Sequence, residues 1–168
     1  MTSDECRAAG KLPVIVMLDN VRSLNNVGAI LRTCDAFSVQ EVVMCGITGT
    51  PPSPEIHKTA LGAEDSVAWR HVEDTLAETR RLKAGGWHIC VLEQTHDSVP
   101  LQDFVVAPGE RYVIVCGNEV HGVMQEVAEE ADTVIEIPQE GMKHSLNVSV
   151  SAGIAMWHFF SAMRRDMK

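Results

Sequence analysis

Short apolar runs recur along the chain, separated by segments in which apolar residues return at helical spacing. PVIVMLD (Pro13–Asp19) is rich in β-branched residues and reads as a buried strand. Val27, Ile30, Leu31 and Cys34 then define a helix with one apolar face. EVVMCG (Glu41–Gly46) is the next strand, and GTPPSPE (Gly49–Glu55) reads as a loop because its prolines oppose regular structure. A short polar segment, IHKTALGAED, leads to a candidate strand in VAWRHV. Asp74–Gly85 has an acidic N-cap, a basic last turn and a terminal glycine, the signals of a complete helix. WHICVLE (Trp87–Glu93) and YVIVCG (Tyr112–Gly117) are two more buried strands. VMQEVAEEAD is a short helix and TVIEIP (Thr133–Pro138) a strand. A last helix starts at about Leu146 and carries an apolar stripe of Ala152, Ala155, Met156, Phe159, Phe160 and Met163.

Continuous apolar strands alternating with helices predict an α/β fold, a mostly parallel sheet flanked by helices. The 168 residues suit one domain over 13–168, preceded by a polar tail over 1–12. No apolar run is long enough to span a bilayer, and MTSDECRAAGK lacks the apolar core of a secretory signal. The five cysteines are odd in number and form no CxxC pair, and the seven histidines show no metal-ligand spacing. We therefore expect a reducing, cytoplasmic setting with no disulfide and no metal site. A net charge of −9 leaves little long-range attraction for nucleic acid, so any RNA contact must come from locally gathered Lys and Arg.

Ligands of open α/β sheets bind at the carboxyl ends of strands. Three polar loops fall there: Asn25–Gly28 leading to Arg32, Gly117–Gly122, and the stretch from Ile137 to Asn147. Taken singly, each has a structural reading. Asn26 can cap its helix, Gly28 can allow close packing, Asn118 and Glu119 can form a turn, and Ser145 and Asn147 can cap the last helix. The phosphate loop, the dinucleotide-binding turn and the hydrolase nucleophile elbow are all absent from the sequence.

Joined in order, NNVGAILRTCDAF, VIVCGNEVHGV and IEIPQEGMKHSLNVSVSAGIA resemble the three signature motifs of the SpoU/TrmH family of RNA 2′-O-methyltransferases. The resemblance runs from Val14 into the last helix. It implies a C-terminal trefoil knot of the SPOUT type, a homodimer, and a bent S-adenosylmethionine held in the knotted loops and released as S-adenosylhomocysteine. By matching position it implies Asn26, Arg32, Glu119, Ser145 and Asn147 as catalytic residues. Leu92, Glu93, Gln94, Gly117, Asn118, Ile137, Ser145 and Leu146 are implied to hold the cofactor. His121, Gln139 and Glu140 depart from the family's usual small or apolar residues.

The implied reaction methylates a ribose 2′-hydroxyl of structured RNA, tRNA first and rRNA second. The alternative is a non-catalytic RNA-binding protein that keeps the fold. A guanidinium holds its proton to a pKa above about 12, so we read Arg32 as a phosphate grip and electrostatic stabiliser of the 2′-oxygen, not as a base. Asn26 is expected to fix Arg32 or the ribose, and Glu119 to bond Arg32, a backbone amide or a partner subunit. Arg22, Arg32, His57, Lys58, Lys143 and His144 are expected to form a basic patch at the site mouth, with acidic residues such as Glu126, Glu129, Glu130 and Asp132 elsewhere.

Overall fold

The computed structural model describes residues 10–142 and 145–165, with the backbone alone at Arg165. In chain order the elements are β1 (Leu12–Asp19), α1 (Leu24–Ala36), β2 (Val39–Cys45), α2 (Pro54–Ala60), α3 (Ala63–Ser66), β3 (Trp69–Val72) and α4 (Thr75–Ala84). They continue as β4 (His88–Leu92), β5 (Val99–Pro100), a 3-10 turn (Leu101–Asp103), β6 (Tyr112–Cys116), α5 (Gln125–Glu129), β7 (Thr133–Glu136) and α6 (Val148–Arg165). The strands form one seven-stranded sheet in the order β3-β2-β1-β6-β4-β7-β5, and every pairing is parallel.

A parallel sheet covered on both faces buries its strands completely. Accordingly Val14 to Leu18 and Tyr112 to Cys116 are almost wholly inaccessible. One face packs under α1, α2 and α6 through Val27, Ile30, Leu31, Ile56, Met156 and Phe159. The other packs under α4 and α5 through Leu82, Val123 and Val127. Cys34, Cys45, Cys90 and Cys116 are free thiols inside these layers, and burial pushes all four above their ordinary range, Cys45 and Cys116 to about 12. Cys6 lies outside the described residues.

Two local expectations need correction. The stretch Gly49–Glu55 is not loop throughout, because Pro54 opens α2. A proline at the first helical position lacks only an N–H that has no helical partner, and the Ser53 hydroxyl accepts from the Ile56 amide to cap the turn. The following polar segment is thus α2 and α3, divided by Leu61 in the left-handed conformation. The two-residue strand β5 was not predicted. It pairs only with β7, at the sheet edge, where a proline costs no ladder bond.

The strand order places the site. From β1 the chain moves outward through β2 to β3, whereas from β6 it crosses to β7 on the opposite side. Loops leaving neighbouring strands in opposite directions open a crevice at their carboxyl ends, here between β1 and β6, and the cavity of this chain lies on the β6 side of it, at the ends of β6, β4 and β7.

Candidate functional site

A polar network closes the end of β1 and braces the neighbouring loop. Asp19 is fully buried and accepts from the Thr75 hydroxyl at 2.8 Å, the Met124 amide at 2.8 Å and the Asn20 amide at 3.1 Å. It ties β1 to α4 and to the loop after β6. Neither Asp19 nor Asn20 stood out in the sequence, although a polar pair closing an apolar strand was a usable signal.

The loop after β6 is held just as firmly. Asn118 and Gly122 exchange backbone hydrogen bonds at 2.9 Å, and the Asn118 side-chain oxygen accepts from Val120 and His121 at 2.9 and 3.0 Å. Its amide donates to the Asn20 carbonyl at 2.8 Å. A Cβ on Gly117 would lie 2.2 Å from Gly122 backbone, so only glycine permits this return of the chain. Asn118 therefore acts as the turn residue the sequence allowed, and its side chain is spent on the loop. Of the partners open to Glu119, the structure selects backbone amides. Its carboxylate accepts from Arg22 N–H at 2.9 and 3.1 Å and from Ser23 N–H at 3.3 Å.

Asn26 does not cap α1. Ser23 does, accepting from the Asn26 amide at 3.2 Å, because its extended backbone places the hydroxyl over the first turn. The Asn26 side chain instead accepts from the Asn147 amide at 3.2 Å and reaches neither Arg32 nor a helix end. Asn147 caps α6, its side-chain oxygen accepting from the Ser149 amide at 2.8 Å. Ser145, two residues earlier, stands on the rim and makes no such bond. Gly28 does allow close packing, since a Cβ there would fall 2.3 Å from the Ile56 carbonyl oxygen of α2.

Between these loops and the ends of β4 and β7 lies a cavity of about 560 Å³, a size suited to a small-molecule ligand. Every residue expected to hold the cofactor lines it: Leu92, Glu93, Gln94, Gly117, Asn118, Ile137, Ser145 and Leu146. Glu119 and Asn147 line it as well, and Asn26 stands one hydrogen bond behind Asn147. Glu136, His121 and Gln139 complete the polar wall. Glu136 went unnoticed in the sequence because it reads as an ordinary alternating strand position.

Arg32 is the exception. It is exposed on α1, makes no hydrogen bond or ion pair among the described residues, and does not line the cavity of its own chain. Helical spacing explains this: Asn26 and Thr33 share the face toward α6, where Thr33 meets Gly153, and Arg32 is turned about 100° away.

The wall chemistry is selective. Among the described lining residues are three carboxylates, Glu93, Glu119 and Glu136, and no lysine or arginine. Apolar Leu92, Ile135, Ile137 and Leu146 supply the remainder. Such a wall repels phosphates and accepts a flat apolar group bearing positive charge. Outside it, Arg22, Arg32 and Lys58 are exposed without ion-pair partners among the described residues, while His57 is held by Glu64 at 2.5 Å. Lys143 and His144 lie outside the described residues.

Comparison with known proteins agrees with this geometry. A family model described as the SpoU rRNA Methylase family matches residues 13–157. A 23S rRNA (guanosine-2′-O-)-methyltransferase of Nitrosomonas europaea is 34% identical over 147 residues, 88% of this chain and 55% of that protein. A tRNA (guanosine(18)-2′-O)-methyltransferase of Thermus thermophilus is 34% identical over 153 residues, 91% of this chain and 75% of that protein. The solved TrmH/SpoU tRNA modifying enzyme of A. aeolicus superposes with a TM-score of 0.85 at 29% identity, covering 98% of this chain and 83% of the other. An AdoMet-bound rRNA methyltransferase from Sinorhizobium meliloti superposes at 0.82 with 28% identity, covering 95% and 57%. The chain spans between 55% and 64% of the length of the rRNA-modifying relatives it matches.

Proposed function

The chain belongs to the SpoU rRNA methylase family, and from that premise we propose that it transfers a methyl group from S-adenosylmethionine to a ribose 2′-hydroxyl of structured RNA. The carrying observation is the cavity at the carboxyl ends of β4, β6 and β7, apolar in its depth and lined by carboxylates without a described cation. That donor set fits a cationic nucleoside and disfavours a nucleotide polyphosphate. When bound, the cofactor supplies a methyl group already activated on a sulfonium, with a neutral thioether as leaving group.

The protein's own share is alignment and charge. Leu92, Ile137 and Leu146 give the cavity its apolar wall. The Asn118 turn and the Glu119 carboxylate hold the loop after β6 against the start of α1. Asn147 and Asn26 join the start of α6 to α1 and form the polar edge nearest the ribose. Ser145 offers a free hydroxyl at the rim. Arg32 grips the phosphate beside the target ribose and stabilises negative charge on the 2′-oxygen, while a phosphate or water takes the proton.

Arg32 must come to the cavity mouth, and a second copy of the chain brings it there. Val150, Ile154 and Trp157 follow helical spacing on the outside of α6 and are exposed, as is Leu146 just before the helix. This stripe lies beside the C-terminal half of α1, the segment that carries Arg32: Thr33 packs on Gly153, and the Phe37 ring just past the helix lies 5.8 Å from that of Trp157. We propose that it is the seam of a homodimer whose paired faces unite one Arg32 with one cavity. Residues 13–168 then form one catalytic domain, knotted at its C-terminal loops and working in the cytoplasm. No helix among the described residues is long and apolar enough to cross a membrane. Arg22 and Lys58 extend the RNA-facing surface.

Transfer RNA is the substrate we place first and ribosomal RNA second. The test is methyl transfer from labelled cofactor to small RNA and, separately, to ribosomal RNA, with Arg32→Ala as control. The expected result is label in one pool, on ribose after nuclease digestion, and lost in the variant. Label on a base, or cofactor binding with no transfer to either pool, overturns the assignment.

A further inference from the structure

We infer that Glu93 makes the cavity select its ligand by charge, favouring the cationic cofactor over the demethylated product, whose sulfur is neutral. The inference rests on the cofactor reading above and concerns what the cavity does before and after transfer.

Glu93 is the first residue beyond β4. Its amide donates to the Ile135 carbonyl at 3.1 Å, so the ladder to β7 continues through it and fixes the direction of its side chain. The carboxylate then lies against the loop after β6. It accepts the Val123 N–H, and a Cβ on Gly122 would fall 2.3 Å from Glu93 Oε1. Gly122, with φ at +69°, therefore serves two ends: it closes the Asn118 turn and leaves room for this carboxylate.

A carboxylate can accept about four hydrogen bonds, and the described residues give this one a single amide and no cation. Half-buried, Glu93 is held above the ordinary carboxylate range by desolvation, with the Val123 amide opposing. The other ionisable groups of the wall are Glu136 at the end of β7 and Glu119 and His121 of the loop after β6. Glu119 differs from Glu93 because its oxygens are engaged by Arg22 and Ser23 amides. Glu93 thus faces the cavity with its charge uncompensated by any described residue, in a half-buried setting where water screens it less than in bulk. Loss of the methyl group removes one positive charge from the ligand and nothing else from its shape beyond that group. A fixed negative charge in the wall converts that difference into a preference, and so favours release of product.

The test is calorimetric titration of the full chain and of Glu93→Gln with S-adenosylmethionine, S-adenosylhomocysteine and sinefungin, an analogue with an ammonium near the sulfonium position. Glutamine keeps an acceptor for the Val123 amide and removes only the charge. The expected result is a loss of about threefold to tenfold in affinity for the two cationic ligands, with S-adenosylhomocysteine changed by less than about twofold. Glu93→Asp, which keeps the charge, should retain the wild-type order of affinities. Equal losses for all three ligands, or no loss for any, overturn the inference while leaving the cofactor reading standing. A wild-type protein that binds none of the three overturns both.

Discussion

The basic residues of this chain live in two different worlds. Beside β3 and α4, Arg70 is bound by Glu41 and Glu78, Arg81 by Glu78, Arg80 by Glu130, and Lys83 by Glu130 and Asp132. Around α1 and α2, Arg22, Arg32 and Lys58 stand exposed, and their side chains form no ion pair among the described residues. The first set is neutralised within the fold and contributes to its stability. The second remains available to a phosphate backbone. A net charge of −9 therefore says little about affinity for RNA, because the sum conceals where the pairing occurs.

The strongest way to break this comparison is at Arg32. Arg32→Ala should lower methyl transfer by at least about a hundredfold with no shift in melting temperature, measured by transfer kinetics and thermal unfolding. Arg32→Lys should recover only part, since it keeps charge without the two-pronged grip. Full turnover in Arg32→Lys removes the bidentate role. On the paired side, Glu78→Ala should cost about 1–2 kcal/mol in denaturant unfolding, because it strips Arg70 of one partner and Arg81 of its own in a partly exposed setting. RNA affinity should not move; if it falls, the paired set is not merely structural.

A smaller effect sharpens the unpaired side. Replacing Arg22 and Lys58 together by alanine should weaken RNA binding and flatten its salt dependence by about two counterions on a double-logarithmic plot. An unchanged slope in filter binding across a salt series would take both residues off the interface.

The smallest effect contrasts two glutamates. Glu78 is held below the ordinary carboxylate range, first by its hydrogen bond from Arg81 and then by Arg70, against desolvation. Its stabilising contribution is present above the unfolded value and is lost as pH falls through the lower folded one. Glu93 is held above that range by desolvation, so its contribution runs oppositely and is lost as pH rises through the folded value. Glu78→Gln should thus melt below wild type at neutral pH, with the gap closing in acid. Glu93→Gln should melt about a degree or two above wild type at neutral pH, with that gap also closing in acid. Melting curves of both variants across pH check the opposite signs.

The contrast also shows what a sequence can carry. Strands β1, β4 and β6 were legible because a strand buried on both faces must be apolar throughout. Helix α4 was legible because Asp74 and Gly85 mark its ends. The cavity lining was legible through family motifs, since strand ends fix their loops by register. Ionic pairing was not legible: Arg70 meets Glu41 across 29 positions, and Lys83 of α4 meets Asp132 just before β7, separations that only the fold closes. For Arg32 the spacing along α1 already turned it away from Asn26, but which surface that face meets is set by the fold alone. The Pro54 helix start was readable in principle, since Ser53 before a proline is a capping signal, but the weight of neighbouring prolines masked it.

The Glu119 contact joins two surfaces that the sequence keeps 97 positions apart. Its backbone belongs to the wall of the cavity, and its carboxylate sits on the amides that open α1. Hydrogen bonds from two successive amides hold the two surfaces together. Any ligand that shifts the loop after β6 must carry the leading edge of α1 with it, and any phosphate that pulls on α1 must press back upon that loop. Under the proposed function, filling of the cavity and seating of RNA on α1 are thereby coupled, so the order in which the two ligands arrive should be written into the kinetics of each.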